Sequence, residues 1–133
     1  MTTSTITASF SCDISLLWDT VTSLCNYSWR SDIKRIEIIE PNKKFIEYSN
    51  DDFPTTFTIT ILEPLKRYEF DIENKNMTGH WIGLFEYDSV NAMTSITFTE
   101  QIEIKKLFMK PFIKGYLKKQ QQTYVEDLQR SLK

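Results

Sequence analysis

The chain has 133 residues, enough for one domain over residues 1–133 that buries about two-thirds of the surface its unfolded chain exposes. A formal net charge of -2 argues against a general nucleic-acid binder, which needs a basic surface. Three Trp, six Tyr and nine Phe are large rings that must either fill a core or line a pocket.

Cys12 and Cys25 belong to no CxxC pair, and a single histidine does not complete a zinc site with them at any usual spacing. No metal and no other cofactor is expected. The two thiols read as free, buried small hydrophobes in a reducing compartment, which points to the cytoplasm. The opening MTTSTITASF lacks the basic and long apolar regions of a signal peptide, and the longest apolar stretches fall far short of a membrane span.

In chain order, Ser4 to Phe10 alternates Ile6, Ala8 and Phe10 with threonine and serine, the period of a half-buried strand. Asp13 fits an N-cap ahead of Leu16, Leu17, Val21 and Leu24, so a helix is expected from Ile14 to Leu24. Trp29 to Asp32 reads as a connecting turn. Six strands then follow: Ile33–Glu40, Lys44–Ser49, Thr55–Glu63, Arg67–Glu73, Met77–Tyr87 and Met93–Lys105. They are separated by Pro41-Asn42-Lys43, Asn50-Asp51-Asp52, Pro64, Asn74-Lys75-Asn76 and Asp88 to Ala92. Arg67–Glu73 has the clearest alternation, Tyr68, Phe70 and Ile72 against four charged residues. Short turns imply antiparallel pairing, hence a seven-stranded meander. From Leu107 to Leu132 the period changes to three or four, through Ile113, Leu117, Tyr124, Leu128 and Leu132. Pro111 fits the first turn of this helix, and Gln120 and Gln121 interrupt its apolar stripe. A sheet with one apolar face must cover it, and the C-terminal helix is the only element long enough to do so. The fold class expected is α+β, a curved antiparallel sheet gripping a long C-terminal helix.

Several local sequences resemble the helix-grip superfamily of START-like, birch-pollen-allergen-like and polyketide-cyclase-like domains (SRPBCC). They are Leu17-Trp18-Asp19-Thr20-Val21, Asn26-Tyr27-Ser28-Trp29-Arg30, Phe45-Ile46-Glu47, Glu63-Pro64-Leu65-Lys66-Arg67-Tyr68, Gly79-His80-Trp81 and the closing helix. The resemblance spans nearly the whole chain and points to the polyketide cyclase or dehydrase-like branch. It implies a cavity for a hydrophobic ligand between sheet and helix, and leaves the reaction, if any, unspecified.

Alternation places Phe57, Ile59, Tyr68, Phe70, Trp81, Phe85, Ile96 and Phe98 on the concave face, joined by Tyr124 and Leu128 from the helix. These rings either pack solid or line a pocket. Phe45 and Glu47 share a face of their strand. Glu100 is in register with Ile96, Phe98, Ile102 and Ile104, so alternation points it inward, where burial raises a carboxyl pKa, unless a bulge or strand end turns it to water. Arg30 is the natural partner for either carboxylate. The resemblance implies that Tyr27 and Trp29 sit at the cavity mouth, where they either gate a ligand or pack the short connection. His80 alternates with Trp81 and should be a lone surface residue. Lys110, Lys114 and Lys118 share one exposed helix face, either simply solvated or touching an anionic membrane or acidic partner.

The leading reading is a module that binds, transports or sequesters a small hydrophobic or aromatic ligand, as a monomer or homodimer, without nucleic acid or stable membrane insertion. Trp29, Phe45, Phe57, Tyr68, Phe70, Trp81, Phe85, Phe98 and Tyr124 would supply contact, with Glu100 fixing orientation. The second is a cyclase or dehydratase-like enzyme with Glu100, or Glu47, as the acid–base group. The third is a protein-interaction module of the chaperone-activator kind, which would need an exposed apolar patch.

Overall fold

The computed structural model describes residues 1–132. Strand β1 (Thr2–Phe10) leads into helix α1 (Ile14–Thr22). There follow β2 (Ile33–Glu40), β3 (Lys44–Ser49), β4 (Pro54–Glu63), β5 (Arg67–Glu73), β6 (Met77–Asp88) and β7 (Met93–Ile104). A 3-10 segment (Leu107–Phe112) then enters helix α2 (Ile113–Ser131). All seven strands form one antiparallel sheet in the order β1-β7-β6-β5-β4-β3-β2. The expected α+β helix-grip architecture is therefore present, and every strand lies where alternation placed it.

Two of the hairpin turns show why the strands reverse where they do. Lys43 donates its N–H to Glu40 C=O across Pro41 and Asn42, and Lys66 donates to Glu63 C=O across Pro64 and Leu65. Proline sits at the second position of each, and Asn42 (φ 60°) and Leu65 (φ 66°) adopt the left-handed conformation at the third, the pattern of a type II turn. Register shifts at Ile33/Arg35, Ile38/Glu40 and Ile59/Ile61 interrupt the ladders on the β2–β5 side, and such bulges bend a sheet.

The concave face is covered by two helices, not one. Helix α1 buries Leu17, Trp18 and Val21. The Trp18 ring meets Phe85 at 4.9 Å and Tyr68 at 6.2 Å, so this short helix closes one end of the sheet. It ends at Thr22, two residues before the expected Leu24. Asp13 occupies the N-cap position, but its side chain makes no capping bond; its backbone C=O accepts from Leu16 and Leu17 instead.

Helix α2 is pinned along β1. Its Ile113, Leu117 and Leu128 are buried, and so is Gln121, which the apolar stripe had treated as an interruption. Ser4 Oγ donates to Gln121 Oε1 (2.8 Å), and Gln121 Nε2 donates to Ser4 C=O (2.9 Å). A buried amide with both ends bonded is an ordinary core residue. Lys114 Nζ also donates to Thr3 C=O. Further along, Asp127, 1% exposed, accepts from Ser31 N and Oγ (2.8 and 2.9 Å) and from Arg130, tying α2 to the segment before β2. The expected single helix from Leu107 is in fact two pieces: Pro111 lies in the 3-10 segment, and the α-helix begins at Ile113.

The cysteines depart from expectation. Both are free, but Cys12 is half-buried and Cys25 is exposed, because α1 ends before Cys25 reaches the core. No helix among the described residues is long and apolar enough to cross a membrane.

Candidate functional site

A cavity of about 810 Å³ lies between the concave sheet, the Ser23–Ile33 connection and α2. Its wall is a chain of rings in contact. Phe45 stacks on Phe57 (5.0 Å, 6°), Phe57 meets Phe70 edge-on (5.1 Å), and Phe70 stacks on Trp81 (4.9 Å, 3°). Trp81 continues to Phe98 (5.5 Å), Phe98 to Tyr124 (5.3 Å) and Tyr124 to Trp29 (5.3 Å). Each such pair contributes about 0.5–1.5 kcal/mol beyond area burial, so the wall is held in one set of rotamers. Gly83 makes room for it: a Cβ there would lie 2.5 Å from the Trp81 six-membered ring.

Polar groups gather at the Trp29 end. Arg30 chelates two carboxylates at once. Its Nε and Nη2 donate to Asp32 (2.9 and 3.0 Å), and its Nη1 and Nη2 donate to Glu47 (3.2 and 3.3 Å). The guanidinium also lies 5.2 Å from the Tyr124 ring centre and 5.7 Å from that of Trp29. Burial works against the charge on Arg30, but Glu47 and Asp32 outweigh it and hold its pKa well above the ordinary value. Burial likewise pushes Asp32 up, and the bonds and charge of Arg30 more than reverse this, leaving it below the usual range.

Glu100 points into the cavity from β7, opposite Trp81 of β6. Burial, reinforced by the charge of Glu47, raises its pKa to about 7 against a smaller opposing pull from Arg30. No described residue hydrogen-bonds its side chain. The indole Nε1–H of Trp29, another wall residue, is buried and also without an acceptor among the described residues. Burial pushes the hydroxyls of Tyr68 and Tyr124 far up, so both remain neutral donors at any physiological pH.

No protein-family model matches the sequence, and no curated protein matches it. Solved structures do match. A START superfamily protein from Mycobacterium smegmatis superposes with a TM-score of 0.86 at 9% identity, over 98% of this chain and 96% of that one. XoxI from Bacillus cereus gives 0.84 at 10% identity, over 99% and 96%. The fold is START-like. The di-domain ARO/CYC BexL of the BE-7585A biosynthetic pathway gives 0.80 at 9% identity, covering 98% of this chain and 46% of that one. Identities this low establish the fold and leave the chemistry to the site itself.

Within this START-like frame, Trp29, Phe45, Glu47, Phe57, Tyr68, Phe70, Trp81, Phe98, Glu100 and Tyr124 all line the cavity, as does Tyr27. Phe85 does not. It shares their face, but Trp18 of α1 covers it, and it packs there as core. Ile96 and Leu128 are fully buried away from the cavity, and Ile59 faces a smaller cleft beside Trp18. His80 does face outward, but not alone. Its Nε2 and Nδ1 lie 2.7 Å from Glu69 and Asp71 carboxylate oxygens, and these bonds outweigh its partial burial and raise its pKa.

Two features had no clear sequence signal. Asp32 follows Arg30 by two residues in an irregular segment, where no periodicity predicts a side-chain direction. Phe108, Phe112 and Tyr116 line the cavity mouth while remaining largely exposed. Their four-residue spacing was the available clue.

Proposed function

We propose that the protein binds a small hydrophobic ligand, flat or aromatic in shape and bearing one polar group, and carries or sequesters it. The cavity of about 810 Å³ supports this reading most directly, since small-molecule sites fall at about 300–1,000 Å³ with mostly apolar walls and a few placed polar groups. The parallel pairs Phe45–Phe57 and Phe70–Trp81 present flat surfaces suited to a planar ligand. Trp29 Nε1–H offers an unused donor, and Glu100, with a pKa near 7, can donate or accept. The ligand's polar group would sit between them. Arg30 already spends four of its five N–H donors on Glu47 and Asp32, so it positions the wall more than it binds. The free thiols fit a reducing, cytoplasmic setting.

Native mass spectrometry of protein purified from its own cells should show a co-purifying small molecule. After the ligand is extracted, an environment-sensitive apolar dye should bind one to one and be displaced by it. A protein that neither retains a molecule nor takes up the dye would defeat the reading.

A cyclase or dehydratase-like activity is the second reading, favoured by one observation: a cavity carboxyl titrating near neutrality suits general acid–base catalysis. Conversion of the co-purified molecule, abolished in Glu100→Gln, would establish it. Binding without conversion would leave the carrier reading in place.

A further inference from the structure

The cavity mouth carries a surface that the ligand-binding reading does not use. Leu107, Phe108 and Phe112 are 77%, 74% and 73% exposed, and Tyr116 is 52% exposed. They lie within ten consecutive residues, and Phe108, Phe112 and Tyr116 follow one another at four-residue steps along the rim. Exposure of single apolar residues is ordinary; a contiguous cluster of large ones marks a contact surface. The same segment is basic. Lys105, Lys106, Lys110, Lys114, Lys118 and Lys119 fall between Glu103 and Glu126, and no Asp or Glu lies between those two.

The surrounding acids are largely spoken for. Glu73 is paired with Lys105, Glu103 with the N-terminal amine and Asp52 with Lys34, which leaves Asp51 as the uncompensated acid of the neighbouring β3–β4 turn. Lys106, Lys110, Lys118 and Lys119 form no ion pair with any described residue.

We propose that this rim docks on an anionic lipid bilayer. Aromatic and leucine side chains would enter the headgroup region while the lysines engage lipid phosphates, the division of labour of an interfacial segment. The contact is peripheral, because no described helix is long and apolar enough to span a bilayer. A second copy of this chain is a poorer occupant, since a two-fold contact would set the same lysines against one another. The proposal stands whatever the cavity holds. If both hold, the cavity opens toward the membrane, and a hydrophobic ligand can pass between the two without crossing water.

The test is flotation of the intact protein with phosphatidylcholine vesicles, with and without about one-third phosphatidylglycerol. Flotation is expected only with the anionic vesicles, and should weaken as salt shortens the Debye length. A lysine near an anionic surface is worth about fivefold in binding. Lys106→Glu/Lys110→Glu should therefore weaken it by more than about twentyfold. Phe108→Ser/Phe112→Ser should also release the protein. These side chains are exposed, so circular dichroism and melting of both variants should match wild type. The proposal is overturned if the protein ignores anionic vesicles, or if both folded variants float like wild type. Retention on an immobilised acidic polypeptide without any vesicle binding would assign the surface to an acidic protein and overturn it too, as would a dimer in sedimentation that hides the rim and blocks flotation.

Discussion

Replacing Glu100 by glutamine removes a charge from the cavity wall and leaves its shape unchanged, so the variant isolates the electrostatics of one residue. Burial raises the Glu100 pKa from the ordinary 4.5 to about 7. A carboxyl whose folded pKa lies above its unfolded one binds its proton more tightly in the folded state. Its contribution to stability is therefore fully present below the unfolded value and is lost as pH rises through the folded one. Across the window from 4.5 to about 7 the loss amounts to at most about 3 kcal/mol, at 1.36 kcal/mol per unit. Urea denaturation of wild type and Glu100→Gln, followed by circular dichroism at several pH values, gives the difference directly. Groups that do not interact with Glu100, such as His80, contribute equally to both proteins and cancel. The two should be nearly equal in stability at about pH 4.5, and the variant should gain steadily to about pH 8, by an amount of order 2–3 kcal/mol. A difference that does not change with pH would mean Glu100 titrates as an ordinary exposed carboxyl. A variant less stable than wild type at high pH would mean that Arg30 stabilises the Glu100 carboxylate more than burial opposes it. Either outcome refutes the reasoning, and with it the acid–base role.

Three further perturbations test other parts of the structure. Arg30→Met strands Glu47 and Asp32 without their shared partner, so it should cost about 3–5 kcal/mol near neutral pH; the cost should shrink in acid, where Asp32 in the wild type loses the charge that Arg30 stabilises, measured by the same denaturation at two pH values. Gly83→Ala places a methyl against the Trp81 ring, which must move toward the cavity; a loss of about 1–3 kcal/mol is expected, with weaker dye uptake and a changed Trp fluorescence spectrum. Leu65→Asn relieves a left-handed backbone at an exposed leucine, and thermal melting should show a gain of about 1 kcal/mol with dye binding unchanged.

The sheet was legible because period-2 alternation is a local property. Arg67–Glu73 shows which side chains face inward without reference to anything else, and Glu100 could be oriented by counting from Phe98 and Ile102. What alternation does not convey is position along the face. Phe85 and Phe70 share the concave side, but Phe85 lies under Trp18 and Phe70 faces empty space, because α1 covers only one end of the sheet. Length alone assigned the covering role to the C-terminal helix, yet the nine residues of α1 decide which rings are core and which are wall. The Arg30 cluster was half legible. Glu47 could be placed by its strand, but the Asp32 contact depends on an irregular backbone between α1 and β2. The break at Ile113 was hidden because Leu107, Phe108 and Phe112 extend the apolar spacing of the helix, although they remain largely exposed.

The seating of helix α2 explains why a cavity survives beneath a sheet so rich in large rings. Helix α2 does not lie centrally over the concave face. The Gln121–Ser4 pair, the Lys114 contact to Thr3 and the burial of Leu117 hold it against β1, at one edge of the sheet, and Asp127 anchors its far end to Ser31. Helix α1 fills the opposite end around Trp18. Between Trp18 and α2 the concave rings Phe45, Phe57, Phe70 and Trp81 meet one another edge-on or stacked and face the cavity. Collapse into this space would require α2 to roll across the sheet. That would expose Leu117 and leave the buried Gln121 amide and Asp127 carboxylate without partners, at a cost of about 1–3 kcal/mol for each neutral group and more for the charge. The polar anchors of α2 are therefore what keep the cavity open, and the aromatic wall is free to serve a ligand because it is not needed to seat the helix.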